Sequence, residues 1–244
     1  MGFLNILLII FLAIPLAYLL YRFISDRNMK PIKIPLPPIA PENTIISFDL
    51  HDVLVRYDYI GIIKEFWSSK RKVGLFITIL NPFLIYDALK LLYHGGIAEQ
   101  FILVLPQEHP RLKPYIPLGI RIANCQIPVK PMLELVKKLK QSGYTIHLFS
   151  NIGAKIFQDL KEKLPGMFVD VDDVTLPSEK NEYIRKPFKN AFETYATKHK
   201  DKNIIFIDDK RRNIKTARSC GIIGILFKNH GLLTKELKKL GVLR

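Results

Sequence analysis

The chain has few cysteines, no internal repeat and no long low-complexity tract. Its two cysteines, Cys125 and Cys220, lie far apart and form no CxxC motif, which excludes a disulfide framework and a zinc knuckle and favours a reducing compartment. The histidines at positions 94, 109, 147, 199 and 230 show no metal-ligand spacing, so we interpret them as ordinary core or surface residues.

Acidic residues are also scarce. The chain has 22 Asp and Glu against 37 Lys and Arg, a formal net charge of +15. This excess favours anionic partners, namely phosphorylated small molecules or other anionic substrates, lipid head groups or nucleic acid. Because the basic residues are spread over predicted helices, a nucleic-acid interface is the least favoured of these. The basic run from Lys210 to Arg212 lies beside the candidate site described below.

The longest apolar run of the chain lies at the N-terminus. The stretch from Phe3 to Tyr21 is interrupted only by Asn5 and Pro15, and about 19 residues nearly match a bilayer core. We therefore predict a single-pass transmembrane anchor at residues 1–24. Basic residues at positions 22, 27, 30 and 33 follow the span and place the remaining chain in the cytoplasm. A cleaved signal peptide is the alternative, but nothing basic precedes Phe3. Prolines at 31, 35, 37, 38 and 41 predict a stiff linker over residues 25–43.

After the linker, apolar strands alternate with amphipathic helices. The strand candidates are Ile45–Phe48, Tyr144–Phe149, Asn203–Ile207 and Gly221–Phe227, and helical patterns follow each of the last three and also precede Gly143. This alternation predicts an α/β fold, a three-layer α/β/α Rossmann-like arrangement with a parallel sheet. Its two parts comprise residues 44–56 and 128–244.

Residues 57–127 interrupt this pattern. A helix is predicted to begin at Asn81-Pro82 and to end at His94-Gly95-Gly96, so the insertion is expected to be mostly helical. The apolar run Val73–Tyr86 is too short for a transmembrane helix, and we predict a buried helical hairpin there. Contact with a membrane interface is the alternative. Trp67 and the other aromatic residues are expected in the core.

Polar residues directly follow three of the predicted strands. These residues are Asp49, Ser150 and Asp208, and Lys186 opens a helix between the last two. Because the carboxyl ends of parallel strands share one edge of a sheet, we expect these side chains to converge. Carboxylates bind Mg²⁺, whereas hydroxyl and ammonium groups hold phosphate oxygens.

Four segments resemble the motifs of the haloacid dehalogenase (HAD)-like hydrolases, in the order of that superfamily. FDLHDVL is similar to the first motif, HLFSN to the second, YIRKPF to the third and IIFIDDKRRN to the fourth. The resemblance covers Ile45 to about Phe227. It implies a HAD-like core, with residues 57–127 as a cap between the first and second motifs.

The resemblance also implies a role for each matching residue. Asp49 would be the nucleophile that forms an aspartyl-phosphate. The Mg²⁺ cofactor would be bound by Asp49, the backbone carbonyl of His51 and Asp208, with Asp209 acting directly or through water. Ser150, Asn151 and Lys186 would bind the phosphoryl group. The implied activity is that of a membrane-anchored, Mg²⁺-dependent phosphatase.

The first motif departs from the superfamily pattern at two positions. His51 stands where phosphatases carry a second Asp, the general acid and base, and Asp52 stands where they carry Gly. Histidine is able to perform both proton transfers, and Asp tolerates unusual backbone angles. Two alternatives stay open: a catalytically impaired HAD-like binding or scaffold protein, and other chemistry at the same site, such as phosphoryl transfer to an acceptor. Carbon–halogen cleavage needs no metal, and the paired Asp208 and Asp209 argue against it.

Overall fold

The computed structural model describes residues 39–70, 72–93 and 96–243. The predicted anchor and the linker as far as residue 38 lie outside this part of the chain, so the membrane span stays a prediction. Residues Pro41–Asn43, at the end of the predicted linker, form a 3-10 turn that leads directly into the first strand.

The strands, in chain order, are β1 (Thr44–Phe48), β2 (Val55–Tyr57), β3 (Gln126–Pro128), β4 (Thr145–Phe149), β5 (Asp173–Thr175), β6 (Asn203–Asp208) and β7 (Ile223–Leu226). Five of them form a parallel sheet in the order β5-β4-β1-β6-β7, and β2 pairs antiparallel with β3. The central strand β1 lies between β4 and β6, with Phe48 opposite Leu148 on one side and Ile207 on the other. The strand ends that carry Asp49, Ser150 and Asp208 are therefore neighbours.

The α-helices are α1 (Tyr59–Ser68), α2 (Lys72–Ile79), α3 (Pro82–Tyr93), α4 (Leu105–Glu108), α5 (Ile116–Ala123), α6 (Lys130–Gln141), α7 (Ala154–Lys163), α8 (Lys189–Lys198), α9 (Arg211–Ser219) and α10 (His230–Lys239). A π-helical turn at Gln100–Val104 leads into α4, and 3-10 turns occupy Pro110–Tyr115, Pro165–Phe168 and Glu179–Asn181. Gly143 ends α6 with a positive φ of 89°, as its position after the amphipathic run predicts.

The two faces of the sheet have different packing partners because strand side chains alternate. Ile46 and Phe48 of β1 face a core that includes apolar side chains of α6, α7 and α10. On the opposite face, Phe149 and Phe206 pack against Phe192 of α8 with ring centroids 5.3–5.6 Å apart. The sheet therefore has helices on both faces, which confirms the predicted α/β fold with a parallel central sheet.

Residues 57–127, called the insertion below, leave the core through β2 and return through β3. Tyr57 pairs with Gln126 and Val55 with Pro128, so the antiparallel ribbon lies at both predicted junctions. The insertion is mostly helical, comprising α1 to α5 and the turns between them. Its own small core is formed by Leu84, Leu105 and Leu112.

The prediction of a buried hairpin at residues 73–86 is wrong. The run does form nearly all of α2 and the beginning of α3, but Val73, Ile77 and Phe83 are exposed, and Leu84 is the buried residue of α3. Trp67, expected in the core, is also exposed. The physical reason is length: the insertion supplies too few opposing apolar side chains to cover both faces of these short helices.

Candidate active site

The structure brings Asp49, Lys186 and Asp208 into direct contact at the carboxyl edge of the sheet. The Lys186 Nζ atom lies 3.1 Å from Asp49 Oδ1 and donates a 2.7 Å hydrogen bond to Asp208 Oδ2. It also donates to the Phe149 carbonyl at 2.6 Å. All three charged side chains are buried, so the ammonium and the two carboxylates stabilise one another in a site that excludes most water.

Two aromatic rings of the core lie next to the Lys186 ammonium. Lys186 Nζ lies 4.8 Å from the ring centroid of Phe206 and 5.2 Å from that of Phe149. These rings offer their negative faces to the cation and fill the space that water would otherwise occupy. Lys186 is therefore a positioned charge and not one of the chain's many solvated lysines.

Asn151 holds the backbone of Lys186. Its Nδ2 donates to the Lys186 carbonyl at 2.6 Å, and its Oδ1 accepts from the Lys186 amide at 3.0 Å. The two bonds fix the segment from which the ammonium projects, so Asn151 has a positioning role. Its predicted contact with phosphate stays a prediction.

Ser150 is fully buried at the end of β4. Its backbone amide donates to the Thr175 carbonyl at 3.2 Å, and its Oγ accepts from the Ile152 amide at 3.4 Å. The hydroxyl therefore closes a local turn after the strand and does not cap α7, which begins at Ala154.

Asp208 and Asp209 complete a carboxylate cluster with Asp49. One oxygen from each of the three carboxylates lies within 4.8 Å of the other two, and all three residues are buried. Asp208 is held by further donors, the Asn213 amide at 2.8 Å and the Lys210 backbone amide at 2.7 Å. Asn213 belongs to the fourth motif, but only the structure shows that it holds this carboxylate.

The cluster is electrostatically asymmetric. Burial and the facing Asp49 raise the pKa of Asp208, despite the opposing effect of Lys186. Burial also raises the pKa of Asp49, but Lys186, Lys210, His51 and the Leu50 amide outweigh it, so that the pKa of Asp49 is lowered. Asp49 is thus held as the carboxylate, the form that acts as a nucleophile.

This donor set suits a hard divalent cation. The cluster contains three buried carboxylates, and all of its donor atoms are oxygen. Mg²⁺ prefers such oxygen ligands and would relieve the repulsion between Asp49 and Asp208. The residues present therefore fit the predicted magnesium ion.

His51 lies beside this cluster, in the loop after β1. Its ring stacks on Tyr57 with centroids 5.2 Å apart and an interplanar angle of 16°. Burial lowers the pKa of His51, although Asp49 opposes the shift. Asp52 has a positive φ of 60°, which confirms that the position normally occupied by Gly requires an unusual backbone angle.

Glu99 is a buried charge that the sequence pattern does not reveal. It lies in the insertion, and its Oε2 accepts from the backbone amides of Lys155 and Ile156 at 2.8 and 3.1 Å. The N-cap residue of α7, Gly153, has no side chain, so a residue distant in sequence satisfies these amides. A Cβ at Gly153 would overlap Glu99. The contact connects the insertion to the helix that follows Ser150.

A second cluster consists of buried His147 with half-buried Asp173 and His199. His147 Nδ1 is 2.9 Å from Tyr195 Oη, and the His147 and His199 rings are 4.8 Å apart beside Asp173. Burial lowers the pKa of His147 to about 4. The three residues are near enough to offer metal ligands, a proximity that the spacing of the histidines in the sequence does not indicate. Asp173 already accepts from the Lys198 ammonium at 2.6 Å, so its charge is paired.

Comparisons with known proteins agree with this fold. No protein-family model matches the chain. An HAD-family enzyme from Bacteroides thetaiotaomicron, solved with magnesium and inorganic phosphate, superposes with a TM-score of 0.53 at 20% identity, covering 76% of this chain and 94% of that one. The L-2-haloacid dehalogenase of Xanthobacter autotrophicus, with covalently bound chloropropionic acid, gives 0.51 at 12% identity, covering 82% and 84%.

One curated relative is similar in sequence. The chain is 27% identical over 126 residues to the sesquiterpene phosphatase astK of Aspergillus oryzae, a match that covers 48% of this chain and 59% of the relative. The match thus spans less than two thirds of that protein. At these identities the structural similarities establish the fold alone. The chain therefore has the fold of the HAD-like hydrolases.

Proposed function

We propose that the protein is a Mg²⁺-dependent phosphomonoester hydrolase that acts through an aspartyl-phosphate on Asp49. The observation that carries this proposal is the buried contact of Lys186 with Asp49 and Asp208, at 3.1 and 2.7 Å. It supports the proposal because Asp49 would be the nucleophile, Lys186 the cation for the phosphoryl oxygens and Asp208 a metal ligand, all within one site. The resemblance to a sesquiterpene phosphatase supports a hydrolytic activity and suggests phosphate esters with an apolar chain as substrates.

In the first half-reaction, a carboxylate oxygen of Asp49 attacks phosphorus in line with the ester oxygen. The new O–P bond forms as the P–O bond to the alcohol breaks, and His51 donates a proton to the departing oxygen. Lys186 stabilises the negative charge on the phosphoryl oxygens. Bound Mg²⁺, held by Asp49, the His51 carbonyl and Asp208, would neutralise charge on the phosphoryl group.

In the second half-reaction, His51 removes a proton from water. The resulting hydroxide attacks phosphorus, the bond to Asp49 breaks, and the Asp49 carboxylate is regenerated with release of inorganic phosphate. His51 thereby regains the proton that it gave to the alcohol. Ser150 contributes phosphate contacts, and Asn151 keeps Lys186 in place.

The insertion is assigned the role of a cap over the site, and residues 1–24 the role of a membrane anchor with the catalytic domain in the cytoplasm. The β2–β3 ribbon and the Glu99 contact with α7 support the first assignment, because both join the insertion beside the site. The apolar run Phe3–Tyr21 supports the second.

The test uses the full chain purified in detergent. We expect Mg²⁺-dependent release of phosphate from an aryl phosphate and from a terpenyl monophosphate, and loss of both activities in Asp49→Asn. Asp201→Asn changes an exposed aspartate and is the matched control. Acid quenching should trap a phosphorylated Asp49 peptide by mass spectrometry. A folded wild-type protein that releases no phosphate from a broad ester panel would contradict the proposal.

The substitution of His51 for the second Asp favours one alternative, a binding or scaffold protein that has lost turnover. Such a protein would bind Mg²⁺ and a phosphate analogue in calorimetry, but no aspartyl-phosphate would be trapped. Phosphoryl transfer to an acceptor alcohol is a variant of the main proposal, and it is detected as a new phosphate ester in place of inorganic phosphate. Carbon–halogen cleavage would release halide without added metal.

A further inference from the structure

The insertion turns an apolar stripe of its first helix toward solvent. Ile60, Ile63 and Trp67 recur at i, i+3 and i+7 in α1 and therefore share one side of the helix. Between 56% and 68% of each of these residues is exposed. An amphipathic helix of a soluble domain normally directs such a stripe toward its core.

The next two helices continue this exposure. The surface called the apolar face below consists of Ile60, Ile63, Trp67, Val73, Ile77, Phe83, Tyr86, Leu89 and Tyr93, and all nine residues are exposed. Single exposed apolar residues are ordinary, but soluble monomers rarely present a run of large ones along three consecutive helices. The face is therefore built to contact something apolar.

The charge around the apolar face is positive. Residues 59–93 contain five basic and two acidic residues. Both acids are paired, since Glu65 accepts from Arg121 at 2.8 Å and Asp87 lies 2.9 Å from His109 Nε2. Lys64 and Lys90 are exposed within the same helices. Apolar and aromatic side chains among lysines are typical of helices that lie at an anionic lipid surface.

The shape of this region fits a surface contact. Within residues 39–70, 72–93 and 96–243, no single helix has both the length and the apolarity to cross a bilayer. Helices α2 and α3 reach the required apolarity only together, and they meet at an angle of 75°. Each of these two helices is by itself too short to span the bilayer core, and a bend of this size lets both lie along a lipid surface.

We propose that the apolar face lies in the interface of an anionic lipid bilayer. A second copy of this chain is a poorer occupant, because it would bring the same lysines against one another. The site is connected to this surface: Tyr57 stacks on His51 and lies 6.3 Å, between ring centroids, from Tyr59 at the start of α1. A phosphorylated amphiphile would thus reach Asp49 from the bilayer. This last step rests on the proposed phosphatase activity, whereas the lipid contact does not.

Trp67 is the only tryptophan of the chain, so its fluorescence reports on the apolar face alone, whatever the N-terminal segment does. The full chain is reconstituted into vesicles of phosphatidylcholine with phosphatidylserine. We expect blue-shifted emission that brominated lipids quench and aqueous iodide does not. In the double variant Ile63→Glu, Phe83→Glu, emission should return toward that of a solvated tryptophan. Val169→Glu changes an equally exposed apolar residue outside the insertion and should leave the emission as in wild type.

Three results would overturn the proposal. The first is wild-type Trp67 that iodide quenches freely in these vesicles. The second is quenching by brominated lipid that is unchanged in the double variant. The third is a blue shift that depends on protein concentration and accompanies cross-linked dimers, which would assign the face to a second copy.

Hydrolysis rates on a soluble ester and on a vesicle-borne ester distinguish the lipid contact from catalysis. The double variant should hydrolyse a soluble aryl phosphate at the wild-type rate but a vesicle-borne terpenyl phosphate roughly tenfold more slowly. If neither ester is hydrolysed by wild type, the phosphatase proposal fails while the fluorescence result still decides the lipid contact. Equal rates on the vesicle-borne ester would overturn the delivery of substrate from the bilayer.

Discussion

The Nζ atom of Lys186 lies 2.7 Å from Oδ2 of Asp208, and both side chains are buried. Asp208 comes from the end of β6, whereas Lys186 precedes α8 in the chain. The contact therefore joins two segments of the chain, and the same ammonium contacts Asp49, which directly follows β1. A buried charge pair of this kind tolerates the loss of one partner poorly, because the other partner is left uncompensated.

Lys186→Met should abolish most activity and lower the free energy of unfolding at pH 7 by about 3–5 kcal/mol, since Asp49 and Asp208 then repel one another. Urea unfolding and phosphate release measure the two effects. Mg²⁺ should raise the midpoint of the variant more than that of wild type, because the ion replaces the missing positive charge. Lys161→Met removes an exposed lysine and should change neither quantity. Unchanged activity in Lys186→Met would show that the ammonium is structural only.

Asn151→Ala should lower kcat by roughly tenfold with little change in the Mg²⁺ dependence, because the variant loses both bonds that hold the Lys186 backbone. Steady-state kinetics over a Mg²⁺ series provide the measurement. Asn229→Ala is the control, because it removes the hydrogen bond that Asn229 Oδ1 accepts from the Leu232 amide at the start of α10. This variant should lose about 1 kcal/mol of stability and keep the wild-type kcat. A raised Mg²⁺ requirement in Asn151→Ala would instead indicate an effect on the carboxylates.

His51→Ala should affect poor leaving groups more than good ones. A nitrophenolate departs without a proton, whereas an alkoxide needs the proton that His51 supplies. We expect the ratio of aryl to alkyl phosphate kcat/KM to rise by about tenfold or more in the variant. Equal losses on both esters would mean that His51 positions the loop and does not transfer the proton.

Glu99→Ala should cost about 1–2 kcal/mol of stability, because the Lys155 and Ile156 amides at the start of α7 lose their acceptor. Thermal unfolding measures the change, and hydrogen exchange of these two amides should accelerate. Glu134→Ala changes an exposed glutamate of α6 and is expected to be neutral. Wild-type protection of both amides in Glu99→Ala would contradict the contact.

His147 should make stability depend on pH between about 6.5 and 4. Its pKa is lowered in the folded protein, so the unfolded chain binds the proton first as pH falls. The contribution of neutral His147 is therefore complete above pH 6.5 and lost as pH falls towards 4, by up to about 3 kcal/mol. Comparing urea unfolding of wild type and His147→Phe at pH 7 and pH 4.5 isolates this slope. A slope that persists in the variant would assign it to other groups.

The local sequence pattern was sufficient to predict the secondary structure of the core. The apolar run before Asp49 predicts a strand and the periodicity before Gly143 predicts a helix, so β1, α6 and the parallel sheet follow from the local pattern, whereas the strand order does not. The polar residues that follow three strands also allowed their convergence to be predicted, because parallel strands share one carboxyl edge. Asp49 and Asp208 meet at that edge, and Lys186, which precedes α8, contacts both.

Contacts between residues distant in sequence required the tertiary structure. Glu99 meets the amides of α7, and His147 meets His199, through packing that no local spacing encodes. The insertion also shows what the local sequence pattern does not decide. An apolar run indicates that Ile63 and Phe83 avoid water, but whether they meet a core or a solvent-facing surface depends on how many opposing side chains the fold supplies. The sequence alone predicted which polar residues converge at the sheet edge, whereas the tertiary structure decided which apolar residues face outward.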